Sequence, residues 1–141
     1  MAQATRTVGP GTTIRDAKTA SNVILAQGNI SADTTTAGSS IQVDRPCLVN
    51  VELVVGTVAA GVTAFEVEVF GSDASNGTGN VVSYGRFQDI TNADDDTTRV
   101  LAAQVYKPYM HVVIDHSGSG NANVGVFVRT PYDRRTDSTT A

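Results

Sequence analysis

The feature that most constrains the fold of this chain is a strict alternation of side chains near its C-terminal end. The run Val124–Arg129 reads Val-Gly-Val-Phe-Val-Arg, so that valine occupies every second position. An alternation with period two places successive side chains on opposite faces of a β-strand. The run from Tyr109 to Asp115 is also rich in apolar residues, and a Ser/Gly/Asn-rich segment joins the two. This part of the chain therefore predicts two β-strands connected by a turn.

The same pattern recurs through the rest of the chain. Valine or leucine fills alternate positions in residues 47–55, and residues 64–70 set Phe65, Val67 and Val69 between polar neighbours. No segment of ten or more residues has helical periodicity, which excludes a parallel α/β fold. We predict eight strands, at residues 23–27, 41–43, 47–55, 64–70, 81–87, 97–105, 109–116 and 122–130. Short strands separated by turn-rich loops predict an all-β fold, a single antiparallel β-sandwich or jelly roll.

The sandwich is expected to form one domain, residues 22–130, between two polar segments. The chain has 141 residues, of which 40% are hydrophobic, and this is enough to bury a core. Residues 1–21 contain Gly9-Pro10-Gly11 and no hydrophobic period, so we expect an extended N-terminal arm. Residues 131–141 are equally polar and are expected to form a C-terminal tail.

The net charge of −4 is unevenly distributed. The arm has a net charge of +2, the tail is neutral, and residues 22–130 hold five basic and eleven acidic residues, a net −6. Because residues 22–130 have this net negative charge, they repel phosphate groups, which argues against nucleic acid as a partner. We therefore expect the basic residues of the two ends to contact a protein. These residues are Arg6, Arg15, Lys18, Arg134 and Arg135.

Three glutamates are the candidate binding residues of the domain itself. Glu52, Glu66 and Glu68 point outward from two long predicted strands, and they would form one acidic stripe if those strands pair. Such a stripe either serves solvation or docks a basic partner. Paired carboxylates also occur in glycoside hydrolases, but those enzymes usually add aromatic sugar platforms, and the chain has no tryptophan.

No residue pattern points to catalysis, a cofactor or a metal ion, so we predict that the protein is not an enzyme. His111 and His116 are five residues apart, which places them on opposite faces of one strand, and we expect both to be half-exposed. The run Asp94–Asp96 lacks the spacing of an EF-hand loop and reads as a solvated loop tip, with weak calcium binding as the alternative. Cys47 is the only cysteine, and we expect it to be buried.

The chain shows no apolar run of the ~18–20 residues that a membrane span needs, and its first residues lack the apolar core of a secretory signal. We therefore expect synthesis in the cytoplasm and no membrane partner.

The C-terminal segment resembles the small capsid decoration, or cement, proteins of tailed bacteriophages. The resemblance is carried by the strand Tyr109–Asp115, the Gly-rich turn and the ending Val-Gly-Val-Phe-Val-Arg-Thr-Pro-Tyr-Asp at 124–133. It implies a non-enzymatic virion protein on the outer capsid surface that bridges neighbouring major capsid proteins. It also implies a homo-oligomer, which we expect to be a dimer, with a trimer as the alternative. Two other functions remain open, a carbohydrate- or receptor-binding module and another virion part of the neck or tail.

Overall fold

Two antiparallel β-sheets pack face to face in this protein. The computed structural model describes residues 23–36, 40–43 and 46–129. The arm residues 1–21 and the tail residues 131–141 lie outside these ranges. The strands are β1 Val23–Ile30, β2 Thr34–Thr35, β3 Ile41–Gln42, β4 Cys47–Val58, β5 Val62–Ser72, β6 Val82–Arg86, β7 Thr97–Val105, β8 Tyr109–Gly118 and β9 Ala122–Arg129. A short 3-10 helix, Asn92–Asp94, precedes β7.

The chain crosses repeatedly between the two sheets. Sheet A has the strand order β1-β9-β4-β7, and sheet B has the order β2-β8-β5-β6, with β3 also paired to β8. Several strands that follow one another in the chain therefore belong to different sheets: β4 and β5 lie in different sheets, and so do β8 and β9. The predicted antiparallel sandwich is confirmed, with nine described strands rather than about eight.

The core is built from the alternating residues of both sheets. Val49, Val51 and Leu53 of β4 are fully buried, as are Phe65 and Val67 of β5, which confirms the inward faces predicted for both strands. Branched aliphatic side chains suit this position because they are stiff and fill the space between pleated surfaces well. Burying one such side chain contributes about 1.5–3 kcal/mol. The single cysteine, Cys47, lies in the same core, as predicted.

The sequence gives little sign of β2, which lies in the polar segment 31–40. Thr34 and Thr35 pair with Ile114 and Val113 of β8. The buried hydroxyl of Thr36 then accepts a hydrogen bond from the N–H of Val112 at 2.9 Å and donates one to its carbonyl at 3.0 Å. The side chain of Thr36 thus bonds to both the N–H and the carbonyl of Val112. These hydrogen bonds hold the polar segment 31–36 against β8, although the segment has no apolar pattern.

The turn between β8 and β9 depends on its glycines. Gly118 and Gly120 have φ values of +94° and +87°, a region that other residues rarely adopt. A Cβ at Gly118 would also lie 2.2 Å from the carbonyl oxygen of Gly61. The Gly-rich turn predicted between the last two strands is therefore required by both its backbone angles and its close packing.

Candidate interaction surfaces

The outer face of sheet A carries an exposed apolar strip beside the edge of the sheet. Three residues form this outer strip, Leu48 on β4 and Val100 and Ala102 on β7. Leu48 is 42% exposed and Val100 is 59% exposed. In the β4–β7 register Leu48 stands opposite Gln104 and diagonal to Ala102, whose own partner is Asn50. Exposed apolar residues that adjoin one another on a sheet mark a candidate contact surface more strongly than scattered ones do.

Glu52 lies on this same outer face and is partly screened by its neighbours. It stands between Val100 on one side and Phe127 on the other in the strand register. Its Oε2 lies 3.9 Å from Nη2 of Arg129, and the two side chains are 20% and 42% exposed. A pair with this much solvent contact contributes only about 0–1 kcal/mol. Its main effect is to neutralise the charge beside the outer strip.

The outer face of sheet B holds the other two candidate glutamates, and each has a bonding partner. Oε1 of Glu66 lies 2.7 Å from Nη1 of Arg86. Oε2 of Glu68 accepts a hydrogen bond of 2.7 Å from the hydroxyl of Ser83. Both partners belong to β6 and follow from its register with β5. Arg86 therefore balances only Glu66, because the hydroxyl of Ser83 carries no charge. Glu68 and the exposed Asp115, which stands opposite Glu66 in the strand register, leave this patch with a net negative charge.

The single acidic stripe expected from Glu52, Glu66 and Glu68 is wrong. The stripe required β4 and β5 to pair, but β4 belongs to sheet A and β5 to sheet B. Glu52 therefore lies on the opposite side of the sandwich from Glu66 and Glu68. The alternation of residues correctly placed all three outside the core, but it carries no information about which sheet a strand joins. The five basic candidates, Arg6, Arg15, Lys18, Arg134 and Arg135, lie outside the described residues.

The two histidines face opposite sides of sheet B, as predicted, but their exposure differs from the prediction. His116 contacts the buried ring of Phe65 edge-on at 5.6 Å, and its Nε2 lies 3.0 Å from the carbonyl oxygen of Gly120. His111 stacks on Phe70 at 5.7 Å on the outer face and is only 2% exposed, so half-exposure is wrong for it. Burial lowers the pKa of His111, and its Nδ1 has no hydrogen-bond partner among the described residues.

The aspartate run that reads as a solvated loop tip is exposed at Asp95 and Asp96, but Asp94 and Asp95 also make structural contacts. Asp94 accepts a hydrogen bond of 2.8 Å from the N–H of Thr91 and lies 2.7 Å from Nη2 of Arg99. The backbone N–H of Thr91 and, after it, the charge of Arg99 lower the pKa of Asp94. Asp95 accepts a hydrogen bond from the N–H of Val58 at 2.9 Å. These carboxylates fasten the loop before β7 to β4 and to β7 itself.

A polar cleft at one end of sheet A was not foreseen from the sequence. It has a volume of about 700 Å³, and its polar lining includes Asn29, Thr57, Asp96, Asn121 and Asn123. Nδ2 of Asn123 donates to Oδ1 of Asn29 at 3.1 Å, and its Oδ1 accepts from the side chain of Gln27 at 2.8 Å. The only sequence signal was the set of amide side chains at alternate positions of β1 and in β9.

Known proteins add no assignment to these surfaces. No family model, curated protein or solved structure matches this chain. Within residues 23–36, 40–43 and 46–129, no three metal-binding side chains come together. The described part of the chain also contains no helix with the length and apolar character needed to cross a bilayer. Function must therefore be argued from the surfaces themselves.

Proposed function

We propose that this protein is a non-enzymatic structural component that decorates the outer surface of a tailed-phage capsid and connects neighbouring major capsid proteins. The observation that carries the proposal is the outer strip, Leu48, Val100 and Ala102, exposed on a regular sandwich beside the compensated carboxylate of Glu52. Such a surface suits contact with another protein, since its core is apolar and its border is polar.

The resemblance to cement proteins supports the same proposal from a different part of the molecule. The described residues that carry it, 109–115 and 124–129, lie in β8 and β9, which are inner strands of sheet B and sheet A respectively. Val124, Val126 and Val128 are fully buried there. The resemblance therefore concerns the framework of the sandwich, and the contact surface has to be sought on its outer faces and at the two ends of the chain.

The two outer faces suit a protein that connects two neighbours. Glu52 lies on one face, and Glu66 and Glu68 lie on the other, so that charged groups are available on opposite sides. The basic residues of the arm add a third contact. Several modest contacts in one chain combine through effective concentration, which gives firm attachment without any one strong site.

The decisive experiment measures binding to empty shells assembled from the major capsid protein of the same genome. Co-sedimentation of the full chain with the shells is expected, and a chain lacking residues 1–21 should bind more weakly while its circular dichroism remains that of a β-sandwich. A full chain that stays in the supernatant at every concentration would contradict the proposal. Equal binding by the shortened chain would remove the arm, with Arg6, Arg15 and Lys18, from the contact.

Charge variants identify which face meets the shell. Glu52→Gln changes the outer face of sheet A alone, and the pair Glu66→Gln and Glu68→Gln changes the outer face of sheet B alone. The face that touches the shell should lose part of its salt dependence when neutralised, because exposed charges are screened over about 8 Å at physiological ionic strength. The other variant serves as the matched control. Unchanged binding and salt dependence in both would assign all three carboxylates to solvation.

The polar cleft supports a second candidate function, binding of a carbohydrate. Amide and carboxylate side chains offer both donors and acceptors to sugar hydroxyls, and Asn29, Asp96, Asn121 and Asn123 line the cleft. A glycan array with the wild-type chain tests this function, with Asn121→Ala as the variant that should lose the signal. Glycan binding unaffected by the Asn121 variant would place any sugar contact elsewhere, and an empty array would eliminate the candidate.

A further inference from the structure

The four outer edges of the two sheets differ in how far they can accept another strand. β1 has two register shifts against β9, and β2 and β3 have two residues each. β6 has five residues, a register shift and a glycine, Gly85, with φ +136°. Short length, bulges and irregular backbone are the features by which natural sheets prevent further pairing. Three of the four edges therefore have such protection.

The fourth edge, β7, lacks it. Its nine residues pair with β4 in an unbroken register, and no strand among the described residues pairs with its other side. The side chains on its outer face are uncharged and exposed: Thr98, Val100, Ala102 and Gln104. A long, regular edge of this kind is a template for strand addition.

The only charged residue of β7 does not block the edge. An inward-pointing charge on an edge strand can prevent pairing, but Arg99 is bound to its own chain. Its guanidinium donates to the carbonyl of Gln88 and to Asp94, both at 2.7 Å. At the corner of the sandwich, β6 approaches β7 through Gly85 and Leu101, on the side away from the exposed outer residues.

We propose that β7 pairs with β7 of a second copy of this chain, in a two-fold homodimer whose two A sheets join into one sheet of eight strands. The antiparallel register centres on Leu101, the midpoint of the strand, so that all nine residues are paired. Val100 then stands opposite Ala102 of the partner subunit, and Arg99 stands opposite Ala103 of the partner subunit.

The features of β7 favour a second copy over an unrelated strand. In this register no like charges meet, because the only charge of the strand faces an alanine. The apolar residues of the outer face meet one another, so the outer strips of the two copies become continuous. A two-fold axis also closes the contact, since each copy uses its one available edge and further growth stops. The interface is small beside the ~1,200–2,000 Å² of stable complexes, so dimerisation should depend on protein concentration.

Sedimentation velocity tests the proposal on the purified full chain in the absence of shells. We expect the 14.7 kDa chain to shift toward twice that mass as its concentration is raised. Val100→Lys places two lysines diagonally across the two-fold axis, about 7–8 Å apart, and should leave a monomer at concentrations where the wild type is a dimer. Leu48→Lys is the matched control, because Leu48 is a similarly exposed apolar residue of the same face on the inner strand β4. It should retain the dimer.

Cysteine cross-linking tests the register. Directly opposite residues of an antiparallel pair have Cα atoms about 4.5–5.5 Å apart, which suits a disulfide. A mixture of Val100→Cys and Ala102→Cys chains should therefore form a cross-linked heterodimer under mild oxidation. Each variant alone should not, because its two cysteines lie two residues out of register, beyond the ~7 Å limit for a bridge. Circular dichroism confirms that each variant remains folded.

Four results would overturn the proposal. The first is a wild-type chain that is monomeric at all accessible concentrations, and the second is a dimer that survives Val100→Lys. The third is a dimer that is lost in Leu48→Lys but not in Val100→Lys. The fourth is cross-linking that is as efficient within each single cysteine variant as in the mixture of the two. A dimer that vanishes only when residues 1–21 are removed would assign the contact to the arm. Because no shell is present, these outcomes are independent of whether the protein binds capsids.

Discussion

Replacement of Phe65 by alanine tests the assignment of the sandwich faces most directly. Phe65 lies in β5, is fully buried, and packs edge-on against His116 at 5.6 Å. Truncation removes the ring and leaves a cavity, which costs about 3–5 kcal/mol for a buried phenylalanine. Since a domain of this kind has about 5–15 kcal/mol of total stability, about a fifth of it or more should be lost. The corresponding fall in melting temperature is roughly 10 °C or more.

The matched control is Phe70→Ala, five residues further along the same strand and on its other face. Phe70 is partly exposed and stacks on His111 at 5.7 Å. Its truncation removes a surface contact without opening a cavity in the core, so we expect a cost of about 1–2 kcal/mol. Urea unfolding of both variants gives the comparison. Equal costs, or a larger cost for Phe70→Ala, would show that β5 does not direct Phe65 into the core.

Two further predictions concern the buried ring of His111 and the hydroxyl of the partly buried Tyr84. Burial holds the pKa of His111 below its usual 6.5. The contribution of His111 to the free energy of unfolding should therefore be complete above pH 6.5 and be lost as the pH falls through the lower folded-state pKa. His111→Gln should remove this part of the pH dependence in thermal melts, and an unchanged pH dependence in the variant would contradict the prediction. Tyr84→Phe removes the hydroxyl that accepts hydrogen bonds from the N–H groups of Tyr106 and Lys107 at 3.3 and 3.0 Å. It should cost about 0.5–1.5 kcal/mol, because water can replace the hydroxyl at these exposed or half-exposed N–H groups. Tyr106→Phe, at a residue that is 55% exposed, should be neutral. Equal unfolding free energies for the two variants would deny the Tyr84 hydroxyl this role.

The alternation of residues predicted the longer strands and the inward faces of β4 and β5. β4 and β5 have long runs in which apolar and polar residues alternate, and only one phase of each run can face a core. β2 was missed because it is two residues long and polar, and its place in the sheet depends on the hydroxyl of Thr36. Its stabilisation comes from hydrogen bonds to β8, which lies some eighty residues later in the chain and cannot be recognised from a local pattern.

The candidate surfaces were harder to predict because they depend on which strands become neighbours. Glu52 and Glu66 look equivalent in the sequence, yet pairing separates them onto opposite faces and gives each a different arginine. His111 has the outward phase of an exposed residue, but packing with Phe70 and its surroundings buries it. The unprotected edge of β7 likewise emerges only once β4 is known to be its single partner among the described strands.

The pairing of the first described strand with the last has a consequence for the order of folding. Among the described strands β1 pairs only with β9, and the side chain of Gln27 in β1 bonds to Asn123, 96 residues further along the chain. Contacts between such distant segments form slowly, because a long loop must close before they stabilise anything. During synthesis β1 must therefore wait until β9 has left the ribosome. The β1 edge of sheet A is consequently completed last. A chain that is truncated before residue 122 lacks β9, the strand with which β1 pairs.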